Sequence, residues 1–345
     1  MSTARDVARR AGTSTAVVSY VFNDGPRNVS PGTRERVLNA ARELEYRPNV
    51  LARALSHGRT SSVGLVVPDI ANRFFGELAR ALEEAAAAHG DLLLIGDSGL
   101  DPEREHSNIT AFVDRRVDAV VIVSVHDTPN LGPLQRAGIP VVLLHPIPDS
   151  LHASTISINY ENAAYAAASH LVDHGYNSIV LLNGPEHAAG SRQHRSGVHR
   201  AAAEGSDVVV TEVSSEFSRA HAAQVMLDLL ARPEHPRAVY CSTDEQAYGV
   251  LFACHRLGLT VPEQVAVTGF DGTEHSAYSL PPLTTVRQPI HEIAQRAVAM
   301  LRGDHSADPA HETVDFELVI RESCGEHVQA GASSSAGATA ASDEV

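Results

Sequence analysis

The side chains best suited to chemistry lie where short apolar runs end. Pro68-Asp69 follows one run and leads into Phe74-Phe75; Gly96-Asp97-Ser98-Gly99 follows the next. Asn159 and Glu161 come after a later crossing, and residues 184–197 hold His187, Ser191, Arg192, His194 and Arg195. Tyr240 to Asp244, with Thr243 between them, and Gly269-Phe270-Asp271-Gly272 complete the set. Aromatic faces beside carboxylates and guanidinium groups suit a sugar or nucleoside. Rings stack on an apolar face, and charged groups make paired hydrogen bonds to hydroxyls. The expected ligand contacts are Phe74, Phe75, Asp97, Asn159, Arg192, His194, Arg195, Tyr240, Thr243 and Asp271.

Other chemistries find less support. Gly96-Asp97-Ser98-Gly99 has the letters of a serine-protease nucleophile motif, but those proteases are all-β and this tetrapeptide ends a strand in an α/β alternation. His170 and His174 stand four apart on a predicted helix, a spacing that could hold a metal. No third ligand with metal spacing stands near them in sequence, so they read as surface histidines, and no metal or cofactor is expected. There is no Gly-x-Gly-x-x-Gly and no Walker loop, the usual marks of a nucleotide-dependent enzyme. The enzyme alternative is a cleft sugar or nucleoside hydrolase using Asp69, Asp97 or Asp271. A plain solute-binding protein is the other alternative; it would carry a secretory signal where this chain has a basic helical segment.

The elements that must position these residues form a regular series. From Ser62 onward, apolar runs at 63–67, 92–95, 119–123 and 141–144 alternate with helical stretches. A second series follows at 178–182, 208–210, 238–240 and 265–267. Short continuous apolar runs mark strands buried on both faces. Two successive βα series imply an α/β body of two lobes with parallel sheets. Ligands then sit off the carboxyl ends of the strands, where the residues above are found.

The first sixty residues differ in charge and in pattern. They hold ten Arg and five acids, a charge of +5, while residues 61–345 carry −20, giving the total of −15. All basic side chains are Arg. The basic segment is a separate unit with an anionic partner. Asp6 to Ala11 reads as a helix, and Gly12-Thr13 breaks it. Ser14 caps a second helix to about Phe22, with Val17, Val18 and Val21 inward. Ser30-Pro31 opens a third, whose stripe is Val37, Leu38, Ala41 and Leu44. This is the helix-turn-helix plan.

Asp6-Val7-Ala8, Ala11-Gly12, Val18-Ser19, Asn23, Val29-Ser30, Thr33-Arg34 and Tyr46-Arg47-Pro48-Asn49 resemble the headpiece of LacI/GalR-type bacterial transcription regulators, and the resemblance runs through residue 323. It implies an all-α headpiece over residues 1–48, a hinge helix and linker over 49–60, and a periplasmic-binding-protein-like body over 61–324. It also implies double-stranded operator DNA of pseudo-palindromic sequence, a homodimer, and a small effector between the lobes. Base-reading positions fall on Thr15, Ala16 and Tyr20, and phosphate contacts on Ser14, Ser19, Asn23 and Thr33. Asn49 caps the hinge helix, Leu55 is the minor-groove wedge, and Ala52, Arg53 and Ala54 sit beside it. Tyr20 replaces the usual arginine, and His194 stands where the family has its effector arginine, with Arg192 and Arg195 flanking it. Asp271 matches the family's effector-binding aspartate.

The remaining features bound the setting. Three cysteines without CxxC spacing suit a reducing cytoplasm. No apolar run approaches the roughly 18 residues of a membrane span. Residues 325–345 are mostly Ala, Ser, Gly and Thr with few large apolar side chains, and are expected to be disordered.

Overall fold

The computed structural model describes residues 2–23, 28–47, 58–124, 126, 128–145, 147, 151–188, 190–303 and 308–325. The expected hinge segment, with Asn49, Ala52, Arg53, Ala54 and Leu55, lies outside these residues, as do residues 326–345 of the tail and the side chain of Asn23.

Helix α1 (Ala4–Ala11) starts earlier than its apolar pattern predicts because Thr3 and Asp6 cap it reciprocally. Asp6 N donates to Thr3 Oγ1 at 3.3 Å, and Thr3 N donates to Asp6 Oδ2 at 3.0 Å. Gly12, at φ 62°, ends it in the left-handed conformation that favours glycine. Helix α2 (Thr15–Asn23) is capped by Ser14, whose Oγ accepts from Val17 N at 3.3 Å. Helix α3 (Pro31–Glu43) begins at the proline, but the Ser30 hydroxyl donates to Thr33 Oγ1 at 3.0 Å instead of capping the backbone. Val7, Ala8, Ala11, Val18, Val21, Val37, Ala40 and Ala41 bury together as the core of this unit. Leu38, expected on the inner stripe, is 37% exposed; Ala40 takes its place inside.

The body runs β1 (Ser62–Val67), α4 (Arg73–Ala87), β2 (Leu92–Asp97), α5 (Pro102–Asp114), β3 (Ala119–Ile122), α6 (Gly132–Ala137), β4 (Val141–Leu143), β5 (Ser154–Ile158) and α7 (Tyr160–Asp173). It continues with β6 (Ser178–Asn183), α8 (Ser191–Glu204), β7 (Val209–Ser214), α9 (Arg219–Leu230), β8 (Ala238–Cys241), α10 (Asp244–Leu257) and β9 (Ala266–Asp271). It closes with β10 (Thr284–Arg287), α11 (Ile290–Leu301), β11 (His311–Val314) and β12 (Glu317–Val319).

The strands form two six-stranded sheets, ordered β11-β5-β4-β3-β1-β2 and β12-β10-β9-β8-β6-β7. All pairings are parallel except β10 with β12. The two βα series do form two lobes, but the chain does not finish there. Helix α11 returns to pack on α4 in the first lobe, β11 joins the first sheet beside β5, and β12 goes back to the second. Three connections therefore join the lobes. Strands β5, β10, β11 and β12 were not expected from sequence. They are three to five residues long and rich in Ser, Thr and Glu, so no apolar run marks them. Among the described residues, no helix is long and apolar enough to cross a membrane.

Candidate functional site

Two places have the geometry for binding. On the headpiece, Ser14, Thr15, Ala16 and Ser19 are exposed and Tyr20 is half-buried. Positions 15, 16, 19 and 20 share one side of α2, since residues four apart lie above one another on a helix. The opposite side carries the buried Val18 and Val21. Two arginines turn inward instead of outward: Arg34 Nη1 donates to Val21 O at 3.2 Å, and Arg36 Nε donates to Ala11 O at 3.4 Å. The Thr33 hydroxyl accepts from Ser30 and from Arg36 Nη2 at 3.1 Å, so it is engaged within α3.

The second place is a cleft between the lobes enclosing about 930 Å³, part of it open to solvent. It lies at the carboxyl ends of the parallel strands, where open α/β sheets place their ligands. The first lobe contributes Asp69 and Asn72 after β1, Phe74, Phe75 and Leu78 from α4, Ser124 after β3, and His145 after β4. The second lobe contributes Tyr160, His194, Phe217, Ser242, Thr243, Phe270 and Asp271. Gln288 and Ile293, from the second connection and the start of α11, complete the lining. No arginine is among these lining residues, and the chain has no lysine.

Each wall is held by identifiable contacts. Tyr160 stacks on Phe270 with centroids 5.5 Å apart and planes at 21°, and meets His194 edge-on at 5.6 Å. His194 Nδ1 lies 2.6 Å from the Tyr240 hydroxyl, so Tyr240 sets the ring from behind. Asp271 ends β9 at φ 120°, a conformation that costs a non-glycine residue about 1–3 kcal/mol. Gly269 permits this close packing: a Cβ there would stand 2.5 Å from Asp244 Oδ1. Gln288 Nε2 donates to Asp271 Oδ1 at 3.1 Å.

Burial shifts Asp271, His194 and His145 toward their uncharged forms. Burial pushes the Asp271 carboxyl well above the usual carboxylate range, and the neighbouring Asp244 adds to the rise. Burial also pushes Asp244 up to about 7, although Thr285 and Thr273 donate hydrogen bonds to it. A protonated Asp271 offers an O–H donor as well as acceptor oxygens. Burial holds His194 down to about 3 and His145 down to about 4, so both rings are neutral. His145 Nδ1 accepts from Ser124 N at 3.4 Å, which leaves the proton on Nε2, an atom with no protein partner. The cleft thus presents aromatic faces, neutral imidazoles and the carboxyls of Asp69 and Asp271.

Of the ten expected ligand contacts, Phe74, Phe75, His194, Thr243 and Asp271 line the cleft. Tyr240 is fully buried behind His194. The other four fall elsewhere. Asp97 closes a turn, accepting from Gly99 N at 2.7 Å and Ile70 N at 3.0 Å. That bonding also accounts for the protease-like tetrapeptide. Asn159 caps α7, accepting from Asn162 N at 2.9 Å. Arg195 pairs with Glu212 at 2.7 Å on the side of α8 away from the cleft. Arg192 lines a separate depression with His126, Thr128, Glu186 and His187. The helical spacing of α8 explains the split, since one turn cannot aim residues 192, 194 and 195 the same way.

Sequence reasoning missed His145, Asn72, Tyr160, Phe217 and Gln288. Tyr160 follows Asn159 directly and was within reach; Gln288 carries no local signal.

The profile of bacterial regulatory proteins of the lacI family matches residues 3–49, and that of the periplasmic binding protein-like domain matches residues 152–324. Catabolite control protein A of Priestia megaterium is 33% identical over 318 residues, covering 91% of this chain and 94% of that protein. The lac repressor dimer bound to operator and the anti-inducer ONPF superposes with a TM-score of 0.82 at 25% identity, over 94% of this chain and 99% of that one. The transcriptional regulator CelR in complex with cellobiose gives a TM-score of 0.66 at 27% identity, over 94% and 100%. Helix-turn-helix headpiece, two-lobed body and relatives agree: the chain belongs to the LacI family of bacterial regulatory proteins and is a DNA-binding transcription regulator, not an enzyme.

Proposed function

We propose that this regulator is a cytoplasmic homodimeric repressor whose operator affinity is set by a neutral sugar or nucleoside in the interlobe cleft. The observation that carries the effector class is the lining: stacked aromatic rings, neutral His145 and His194, the carboxyls of Asp69 and Asp271, and no arginine. An anionic ligand would find no counter-charge there, whereas hydroxyls and ring edges find donors and acceptors. Thr15, Ala16 and Tyr20 read base edges, and Ser14, Ser19, Asn23 and Thr33 meet phosphates. Two headpieces bind the halves of a pseudo-palindrome, and effector and operator alter each other's affinity by the same factor.

The test is to capture genomic fragments with the purified protein, sequence them, and titrate the complex with neutral sugars, nucleosides and sugar phosphates. A two-fold symmetric site and a shift of about tenfold or more with a neutral ligand, roughly 1.4 kcal/mol, support the reading. A response to anionic ligands alone overturns the effector class.

Leu55→Ala tests the hinge separately. Removing the wedge should weaken operator binding about tenfold or more while leaving random duplex binding nearly unchanged. Equal losses on both duplexes would remove Leu55 from the minor groove.

A further inference from the structure

One cluster lies at the end of α7 opposite Tyr160. His170 sits in the last turn of α7, and His174 is that helix's C-cap. Four residues apart, they share one face, and their rings meet edge-on with centroids 4.7 Å apart. The sequence offers no nearby third donor, but the fold supplies one. Cys324, on the short 3₁₀ turn Glu322–Cys324 after β12, is fully buried against this face, its Sγ 3.3 Å from His170 Nε2. A donor atom from each of the three residues lies within 4.8 Å of the others.

We propose that His170, His174 and Cys324 bind a zinc-like divalent transition ion that fastens the C-terminal turn to α7. A tetrahedral zinc with Zn–N near 2.0 Å and Zn–S near 2.3 Å spaces its donors about 3.3–3.6 Å apart. The His170–Cys324 separation of 3.3 Å is within about 0.2 Å of the roughly 3.5 Å that a nitrogen–sulfur pair would take. Imidazole and thiolate together suit zinc or another borderline-soft ion; calcium and magnesium demand oxygen.

The surroundings fit the same role. Thr284 Oγ1 lies 2.9 Å from Cys324 Sγ and can donate to it once the thiol has lost its proton, the kind of outer contact that orients a ligand. Gly325, at φ 129°, passes His174 so closely that a Cβ would stand 3.2 Å from Nδ1. Glycine therefore leaves the ring its place. Both histidines are only partly buried, which gives an ion a path to the buried sulfur. On binding, the Cys324 S–H bond breaks, the sulfur pair goes to the metal, and one proton leaves to solvent. Three protein donors leave a fourth position for water. His170 and His174 stand ten and fourteen residues along α7 from Tyr160, so the site sits roughly 15–20 Å from the cleft. It therefore acts as a structural fastening and touches no effector.

The experiment uses the full chain, stripped with a chelator and titrated with Co²⁺, then Zn²⁺. One equivalent of Co²⁺ should raise a near-ultraviolet thiolate-to-cobalt band, which Zn²⁺ then abolishes. Zn²⁺ should also raise the melting temperature. Cys324→Ser should lose the band, and His170→Gln and His174→Gln should weaken Co²⁺ binding tenfold or more. His174→Gln alters an only partly buried side chain, so it tests the site even if Cys324→Ser fails to fold. The proposal fails if no thiolate band appears at saturating Co²⁺. It also fails if the band and affinity survive undiminished in both histidine variants.

Discussion

Asp271→Ala should abolish the effector response while leaving operator affinity intact. The carboxyl is buried at the end of β9, lines the cleft, and is the acceptor for Gln288 Nε2. Alanine removes a ligand partner and leaves that buried amide without its acceptor, which costs about 1–3 kcal/mol. The headpiece is built on its own core and does not contain this residue. An anisotropy titration of the operator complex with the identified effector should show the midpoint raised about 100-fold or more, roughly 2.7 kcal/mol. Asp271→Asn should lose less than about tenfold. Burial favours the protonated form of the acid, and an amide likewise offers a donor and an acceptor. A response by Asp271→Ala at the wild-type effector concentration would remove the residue from the site. Equal losses for Asn and Ala would show that an ionised carboxylate is needed.

Gly197→Ala should be among the most damaging small substitutions in the body. Gly197 lies where α8 crosses α7, and a Cβ there would stand 2.3 Å from Glu161 O and 2.8 Å from Tyr165 N. Both are backbone atoms, so no rotamer change relieves the clash and the helices must separate. Overpacking of a close-packed interior costs about 1–3 kcal/mol, and a backbone clash lies at the upper end. The melting temperature should fall by about 5 °C or more. The effector midpoint should rise as well, because α7 carries Tyr160 and α8 carries His194, one turn from Gly197. Gly76→Ala is the matching control. It lies within α4 with nothing inside 4 Å of the added Cβ, and should be neutral or stabilising by up to about 1 kcal/mol. A Gly197→Ala protein that melts with the wild type would show that the two helices have room to part.

Much of the site was legible because its residues follow strands that sequence marks well. The apolar runs at β1, β8 and β9 place Asp69, Thr243 and Asp271 at strand ends, and such ends line clefts in parallel sheets. On α8, three candidates within four positions could not be ranked from sequence. Only the packing of that helix turned His194 inward and left Arg195 to Glu212. Buried His145 is unmarked in the sequence for the opposite reason: a lone histidine after a three-residue strand carries no periodicity.

Local patterns and one dense run of motif residues determined the class of protein. Helix caps, glycine turns and apolar runs depend on neighbours a few residues apart, so the headpiece, the two βα series and the +5 charge of the first sixty residues were all readable. The tertiary structure decided everything that rests on distant partners. It sent β11 to the first sheet and β12 to the second, shifted Asp271 and His194 toward their uncharged forms by burial, and brought Cys324 to His170 across 154 residues. Strand pairing, desolvation and metal-compatible clustering are properties of spatial neighbours, and spacing along a chain does not encode them.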